Sequence, residues 1–85
     1  EIKCKSINVD RVNLFTDLTN KNIFVKVRST GSLLKASIDK LLDNSAVINL
    51  ERPESAIAPG QACVFYDIDE LGTRLLGGGW ITSTN

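Results

Sequence analysis

The feature that most limits the possible folds is a proline–glycine turn followed directly by an apolar run. Proline fixes φ at about −65° and glycine accepts positive φ. Residues 58–61, Ala-Pro-Gly-Gln, therefore meet the requirements of a type II turn. Apart from Gln61, residues 61–66 are apolar or aromatic, which is typical of a strand covered on both faces or pressed into a small barrel. The sequence predicts a turn centred on Pro59 and Gly60, with a central strand after it.

The apolar residues resume after a polar connection, residues 67–72, that is short enough for a hairpin. They run from Leu75 to Ile81 through three consecutive glycines. A phosphate-binding loop would need a helix N-terminus directly afterwards, whereas Trp80 and Ile81 favour a strand. We interpret the glycines as a bulge or corner, where a neighbouring backbone or the Trp80 ring comes too close for a side chain. A nucleic-acid backbone lying against them is the other interpretation.

Alternating apolar residues predict further strands upstream. The clearest is residues 21–28, in which every second residue is aliphatic. One face consists of Ile23, Val25 and Val27, and the other of Phe24, Lys26 and Arg28. Before this strand, the apolar positions change parity between Cys4 and Ile7, which predicts a bulge or a junction between domains.

Residues 33–42 fit two patterns. The residues Leu34, Ile38, Leu41 and Leu42 fit a helical stripe with Ser32 as a candidate cap. However, Leu34, Ala36 and Ile38 also fit an alternating strand. Residues 43–45, Asp-Asn-Ser, have the chemistry of a hairpin turn, and residues 46–51 then alternate as a strand. A strand over 33–42 would bring the total to about six short strands, the pattern of a small all-β barrel or sandwich.

Composition excludes several classes. With 85 residues only one small hydrophobic core is possible, and 42% hydrophobic with 24% charged residues is ordinary for a globular domain. No apolar run approaches the ~20 residues of a spanning helix. The formal net charge is zero, but the charges are unevenly distributed along the chain. Residues 1–28 contain six basic and three acidic residues, whereas residues 29–85 contain four basic and seven acidic residues. The chain either presents one basic half to a partner or carries scattered solvated charge.

Catalytic chemistry has little support in this sequence. There is no histidine, so Ser-His and Cys-His activation are excluded. The two cysteines, Cys4 and Cys63, are too few for a cysteine-only zinc site, and Cys63 is expected to be a small buried hydrophobe. The acidic residues Asp67, Asp69 and Glu70 lack the glycine and distal glutamate of a calcium loop, so we interpret them as a solvated hairpin tip.

Two stretches, AIAPGQACVFYD (residues 56–67) and LGGGWI (residues 76–81), together resemble the C-terminal end of the tRNA-specific 2-thiouridylases. These enzymes place sulfur on the wobble uridine of certain tRNAs. Upstream, residues 9–14 are loosely similar to the family's entry into this domain, and residues 25–28 to its basic strand. The resemblance implies one domain of a larger tRNA-modifying enzyme whose catalytic part lies elsewhere.

The resemblance also favours the strand over residues 33–42 and implies a small closed β-barrel of the translation-factor type. This barrel would occupy residues 1–85, with residues 1–6 as a candidate interdomain linker. No cofactor is expected in it, whereas the parent enzyme would bind ATP with magnesium in an N-terminal domain that also carries the working cysteines. Implied partners are tRNA, the parent's N-terminal nucleotide-binding and central domains, and a sulfur-relay protein. We expect a cytoplasmic monomer with reduced thiols and no membrane partner.

A tRNA-binding and scaffolding role predicts which side chains contact RNA. Lys26 and Arg28 would lie roughly 6–7 Å apart on one side of a strand, close to the phosphate spacing of an RNA strand. Lys35 and Lys40 would help if their segment is a strand, and Tyr66 is the aromatic residue expected to keep a polar end at the surface.

The remaining aromatic and motif residues are given structural roles. Phe65 and Trp80 are expected in the core. The residues of the structural motif are Pro59, Gly60, Gln61, Gly77, Gly78 and Gly79. The alternative function is a protein-interaction or structural barrel of a translation-factor-like protein, without RNA contact.

Overall fold

The computed structural model describes residues 3–15, 22–27, 31–55, 57–70 and 72–85, and every regular element in these ranges is a strand. The strands are β1 (Cys4–Leu14), β2 (Asn22–Val27), β3 (Leu33–Leu41), β4 (Ser45–Glu54), β5 (Ala62–Asp69) and β6 (Gly72–Thr84). No helix suited to crossing a bilayer occurs within these ranges.

The six strands close into one barrel in the order β1-β4-β3-β2-β5-β6, with β6 pairing back to β1. Every neighbouring pair is antiparallel. The predicted all-β closed barrel is therefore confirmed. Among the six described strands, closure leaves no long unpaired edge on which another strand could add.

Strand order also places β1 and β2 on opposite sides of the barrel, because two strands separate them in either direction. Lys5 and Arg11 of β1 thus lie across the barrel from Lys26 of β2. For these residues the strand order therefore agrees with the alternative of scattered charge rather than with one basic half presented to a partner.

The core consists of side chains that alternate inward from all six strands. In β2, Ile23, Val25 and Val27 are buried while Phe24 is half-buried and Lys26 exposed, so the predicted faces of this strand are confirmed. Phe65 of β5 is fully buried, as predicted. Burying one such side chain contributes roughly 1.5–3 kcal/mol. The fully buried side chains are Ile7, Val9, Ile23, Val25, Val27, Ile48, Cys63, Phe65 and Ile81.

The change of parity near the start of β1 is a bulge. Cys4 pairs with Glu54 but Ser6 pairs with Asn49, so β4 carries extra residues at this point. In β1 itself, the consecutive amides of Lys5 and Ser6 both donate to the Asn85 carbonyl, which is the pattern of a bulge, and both Cys4 and Ile7 face the core. Of the candidate linker, residues 4–6 belong to β1.

Residues 33–41 form strand β3, so the helical alternative is wrong. The hairpin to β4 has the predicted place, since the Leu42 amide donates to the Ser45 carbonyl at 2.8 Å. A register shift between Ile38 and Lys40 interrupts the pairing with β4. This bulge explains why Leu41 and Leu42, which suggested a helical stripe, are exposed rather than part of the core.

The connection between β5 and β6 is shorter than predicted. Residues 67–69 pair with residues 72–74, so most of the polar stretch belongs to the two strands. Asp67 and Arg74 are direct cross-strand partners and form an exposed ion pair at 3.0 Å. The alternating polar residues thus mark the solvated end of a hairpin rather than a loop.

Candidate nucleic-acid interface

Phe24 lies at the centre of an outward-facing group contributed by β3, β2 and β5. Its cross-strand partners are Lys35 on β3 and Tyr66 on β5. Lys26 lies two residues further along β2 and therefore on the same side. Both lysines are exposed, and both rings are half-buried. We call Phe24, Lys26, Lys35 and Tyr66 the basic–aromatic face.

The spacing within this face suits an extended polyanion. Because Phe24 is opposite Lys35 and Lys26 is opposite Leu33, the two lysines are diagonal neighbours, roughly 7–8 Å apart. This resembles the distance between neighbouring phosphates in RNA. The two aromatic rings beside the cations offer apolar surface on which a base could stack.

A surface depression of about 430 Å³ adjoins the basic–aromatic face. Its floor is made of the buried residues Ile23, Ala36 and Leu50. Its rim carries Asn22, Phe24, Lys35, Ser37, Asn49 and Glu51. Amide and hydroxyl groups there can both donate and accept hydrogen bonds, whereas the Glu51 carboxylate limits how close a phosphate can come.

The other predicted contact residues are not part of this arrangement. Lys40 lies beyond the β3 bulge and lines a different depression, with Asn8 and Thr82. Arg28 lies outside the described residues. The structure thus brings together Lys26, Lys35 and Tyr66 of the five residues predicted to contact tRNA.

Phe24 was not singled out by its sequence as a contact residue. The signal was nevertheless present, because strict alternation in residues 21–28 puts Phe24 on the same side as Lys26. An aromatic residue that faces outward from a regular strand, on the same side as a lysine, was sufficient reason to count Phe24 among the candidate contact residues.

The Pro59–Gly60 turn is a structural element. Gly60 has φ of 93°, and the Gln61 amide donates to the Ala58 carbonyl at 3.4 Å, as in a type II turn. The Gln61 Oε1 atom accepts from the Ala58 amide at 2.9 Å. Two further backbone hydrogen bonds join Gly60 and Gln61 to Ile81, so the turn fixes the start of β5 against β6.

The three glycines lie where β6 passes close to its neighbours. A Cβ atom on Gly77 would be 2.2 Å from the Asn13 carbonyl oxygen, and one on Gly78 would be 2.7 Å from the Cys63 carbonyl oxygen. On Gly79 it would be 2.6 Å from a methyl group of Val9. Of the interpretations of these glycines, close approach of neighbouring backbone therefore has direct geometric support.

Trp80 is not in the core, contrary to expectation. Its side chain is 51% exposed, whereas the adjacent Ile81 is buried. Successive strand residues point to opposite faces, so the inward Ile81 forces Trp80 outward. The three glycines before Trp80 have no side chain, so the sequence does not show which residues of β6 face inward. In addition, the register shift at Phe65 and Tyr66 interrupts the regular alternation between β5 and β6.

Neither thiol has the environment of a nucleophile. Cys63 is fully buried, and desolvation raises its pKa from 9.0 to about 12, so the thiol stays protonated at neutral pH. Burial likewise raises the pKa of Cys4, an effect opposed by a backbone hydrogen bond and reinforced by Glu54. Both cysteines are free, and Cys63 behaves as the predicted small hydrophobe.

No metal-binding cluster of three or more Cys, Asp or Glu side chains occurs within the described ranges. The buried residues there are all apolar or cysteine. Within the described ranges the chain is thus a small antiparallel barrel with an apolar core and a basic–aromatic face on its outside.

The chain belongs to the aminomethyltransferase beta-barrel domain family, whose model matches residues 4–81. It is 45% identical over 82 residues, 95% of this chain, to the tRNA-specific 2-thiouridylase MnmA of Paramagnetospirillum magneticum. It is 52% identical over 69% of its length to the enzyme of the same name from Dinoroseobacter shibae, and 52% identical over 71% to that of Rickettsia bellii. The predicted resemblance to the C-terminal 2-thiouridylase domain is confirmed. The aligned part spans 21%, 15% and 15% of these relatives' own lengths.

Proposed function

We propose that this barrel is the non-catalytic tRNA-binding and scaffolding domain of a tRNA-specific 2-thiouridylase, and that it holds tRNA while another domain carries out thiolation. The observation that carries the proposal is the basic–aromatic face. Two exposed lysines and two half-buried rings converge there from three strands, of which β5 is distant in sequence from β2 and β3.

The proposal extends to the longer protein that contains the barrel, here called the parent enzyme. Its catalytic domain would use ATP with magnesium to activate the uridine and would receive sulfur from a relay protein, in the cytoplasm and as a monomer. The names of the curated relatives support 2-thiolation of tRNA uridine by the parent enzyme. The buried, protonated Cys63 supports a sulfur-carrying thiol elsewhere in the parent.

The test is the salt dependence of tRNA binding by the parent enzyme. Each phosphate contact adds about 0.7–0.9 to the slope of log K against log salt, so Lys26→Ala with Lys35→Ala should reduce that slope by roughly 1.5. Binding of ATP should be unchanged. The charge-matched control is Lys3→Ala with Lys5→Ala, because Lys5 on β1 lies across the barrel from β2.

Phe24→Leu separates stacking from charge. It keeps an apolar side chain at a half-buried position, but removes a ring whose stacking on a base contributes roughly 1–3 kcal/mol. Affinity should fall with an unchanged salt slope. If neither the lysine pair nor Phe24→Leu changes tRNA affinity relative to the control, the face does not bind tRNA.

A further inference from the structure

A second surface of the barrel is an apolar groove along β6, with contributions from β1 and β5. It adjoins the basic–aromatic face, because Val64 and Leu75 in its lining are the cross-strand partners of Lys26 and Tyr66. Its volume is about 350 Å³. Three large side chains around it are exposed: Phe15 by 64%, Leu75 by 47% and Trp80 by 51%. The Phe15 amide donates to the Leu76 carbonyl at 2.8 Å, which fixes Phe15 beside β6. We call this surface the Trp80 groove.

The floor of the Trp80 groove is bare backbone and small side chains. Gly77, Gly78 and Gly79 form its centre, with Ala62 and Val64 of β5 beside them. The glycines are required by packing within the barrel, and a consequence is that an incoming side chain can lie directly on β6. Apolar surface of this kind is typical of an interaction site.

One charged residue, Arg11, lies among the described lining residues. Arg11 has φ of 54°, the one non-glycine residue with positive φ in the described ranges. It lies in the register shift between Asp10 and Asn13, where β1 bulges against β6. A bulge of this kind re-aims a side chain, and here it puts a guanidinium group on the rim of an apolar groove.

We infer that the Trp80 groove docks another part of the parent polypeptide, through an apolar side chain next to a carboxylate that pairs with Arg11. The inference rests on the proposed function only in requiring a parent enzyme. In the relative from P. magneticum about four-fifths of the chain lies outside the aligned part, so a parent of similar length has ample further polypeptide that could cover the groove. An RNA strand would need several cations, whereas the described lining of the groove has Arg11 alone and Lys26, opposite Val64, belongs to the adjoining basic–aromatic face.

Photo-crosslinking in the intact parent enzyme tests this inference. Leu75 is replaced by p-benzoylphenylalanine, which keeps a large apolar side chain at the groove. Ile68 is the matched control position, because it is an apolar residue of the same hairpin, 42% exposed, and does not line the groove. The expected result is an intramolecular crosslink from position 75, and none from position 68, to a peptide outside residues 1–85 that contains Asp or Glu.

Other products would overturn the inference. A crosslinked dimer would mean that a second copy covers the groove. A crosslink to added tRNA that persists in the variant with Lys26→Ala and Lys35→Ala would mean that RNA covers it. Recovery of uncrosslinked chain after full photolysis would mean that the groove is open to solvent. Because Leu75 is the cross-strand partner of Tyr66 in the basic–aromatic face, the experiment with added tRNA uses the lysine variant, so that the docking proposal and the tRNA-binding proposal can fail separately.

A second measurement uses Trp80→Asp and Leu75→Asp, with Ile68→Asp as control. Loss of an interface anchor should raise the rate of proteolytic cleavage between the barrel and the rest of the parent roughly tenfold or more. Arg11→Ala should raise it by a smaller factor. Equal rates for the groove variants and Ile68→Asp would contradict docking, provided that circular dichroism shows each barrel folded.

Discussion

At the residue scale, Gly77 is the glycine of β6 at which an added side chain would be most obstructed, by the carbonyl oxygen of Asn13. Gly77→Ala would place Cβ 2.2 Å from that oxygen at a φ of 152°, so the β1–β6 pairing must shift. We expect the free energy of unfolding to fall by on the order of 3 kcal/mol, measured by urea denaturation.

Gly72→Ala is the control for Gly77→Ala. Gly72 also has positive φ, 122°, but nothing lies within 4 Å of its Cβ position. Its substitution reports the backbone strain alone, about 1–2 kcal/mol. Equal losses for the two variants would show that the approach of Asn13 to Gly77 is not tight.

The Cys63 thiol predicts how stability depends on pH. Its pKa is raised in the folded state to about 12, so above pH 9 the unfolded chain loses this proton first. Proton binding is then greater in the native state, and stability falls as pH rises. Cys63 should make no pH-dependent contribution below about pH 8 and should reduce stability by on the order of 1 kcal/mol per pH unit between about pH 9 and 12.

The measurement compares urea denaturation of the wild type and Cys63→Ala at pH 7, 9.5 and 10.5. Cys63→Ala should be less stable at pH 7 by roughly 1–2 kcal/mol, because it leaves a small cavity. The difference should shrink as pH rises, since the alanine side chain of the variant has no proton to lose. Cys4 and the lysines are present in both proteins, so parallel pH curves would mean that Cys63 titrates normally.

At the scale of elements, the Pro59–Gly60 turn sets the register between β5 and β6. Gly60→Ala would put a side chain at φ of 93° without any contact within 4 Å, so the expected loss is backbone strain of about 1–2 kcal/mol. Gly60→Asn should lose less, because Asn tolerates positive φ better than Ala. Thermal unfolding measures both, and equal stability of Gly60→Ala and the wild type would contradict the type II turn.

Elements with regular alternation were the ones that could be predicted from sequence. Residues 21–28 predicted the faces of β2 because aliphatic residues alternate there with others, so the type of each side chain indicates whether it faces inward or outward. The inward and outward faces of β6 could not be predicted in this way. Its three glycines have no side chain to indicate a face, and a register shift interrupts the alternation. The predicted burial of Trp80 was wrong for that reason, and the exposed groove around it was not foreseen.

At the scale of the whole molecule, strand order decides which side chains meet. The sequence places Lys26 and Lys35 outward on their own strands, but their juxtaposition depends on β2 pairing with both β3 and β5. Local patterns do not encode such pairing. The same strand order separates Lys5 and Arg11 from Lys26, although all three belong to the basic segment of residues 1–28.

The barrel closes where β1 pairs with β6, and we call this pairing the seam. Asn8 Nδ2 donates to Ser83 Oγ across it, joining residues 75 positions apart. A double-mutant cycle with Asn8→Ala and Ser83→Ala should give a coupling of about 1 kcal/mol, the net value of one hydrogen bond. If the seam forms late in folding, because it joins the ends of the chain, the coupling should change the unfolding rate and leave the refolding rate nearly unchanged. Stopped-flow chevron plots of the four proteins measure both rates. Coupling expressed wholly in the refolding rate would instead place closure of the barrel in the folding nucleus.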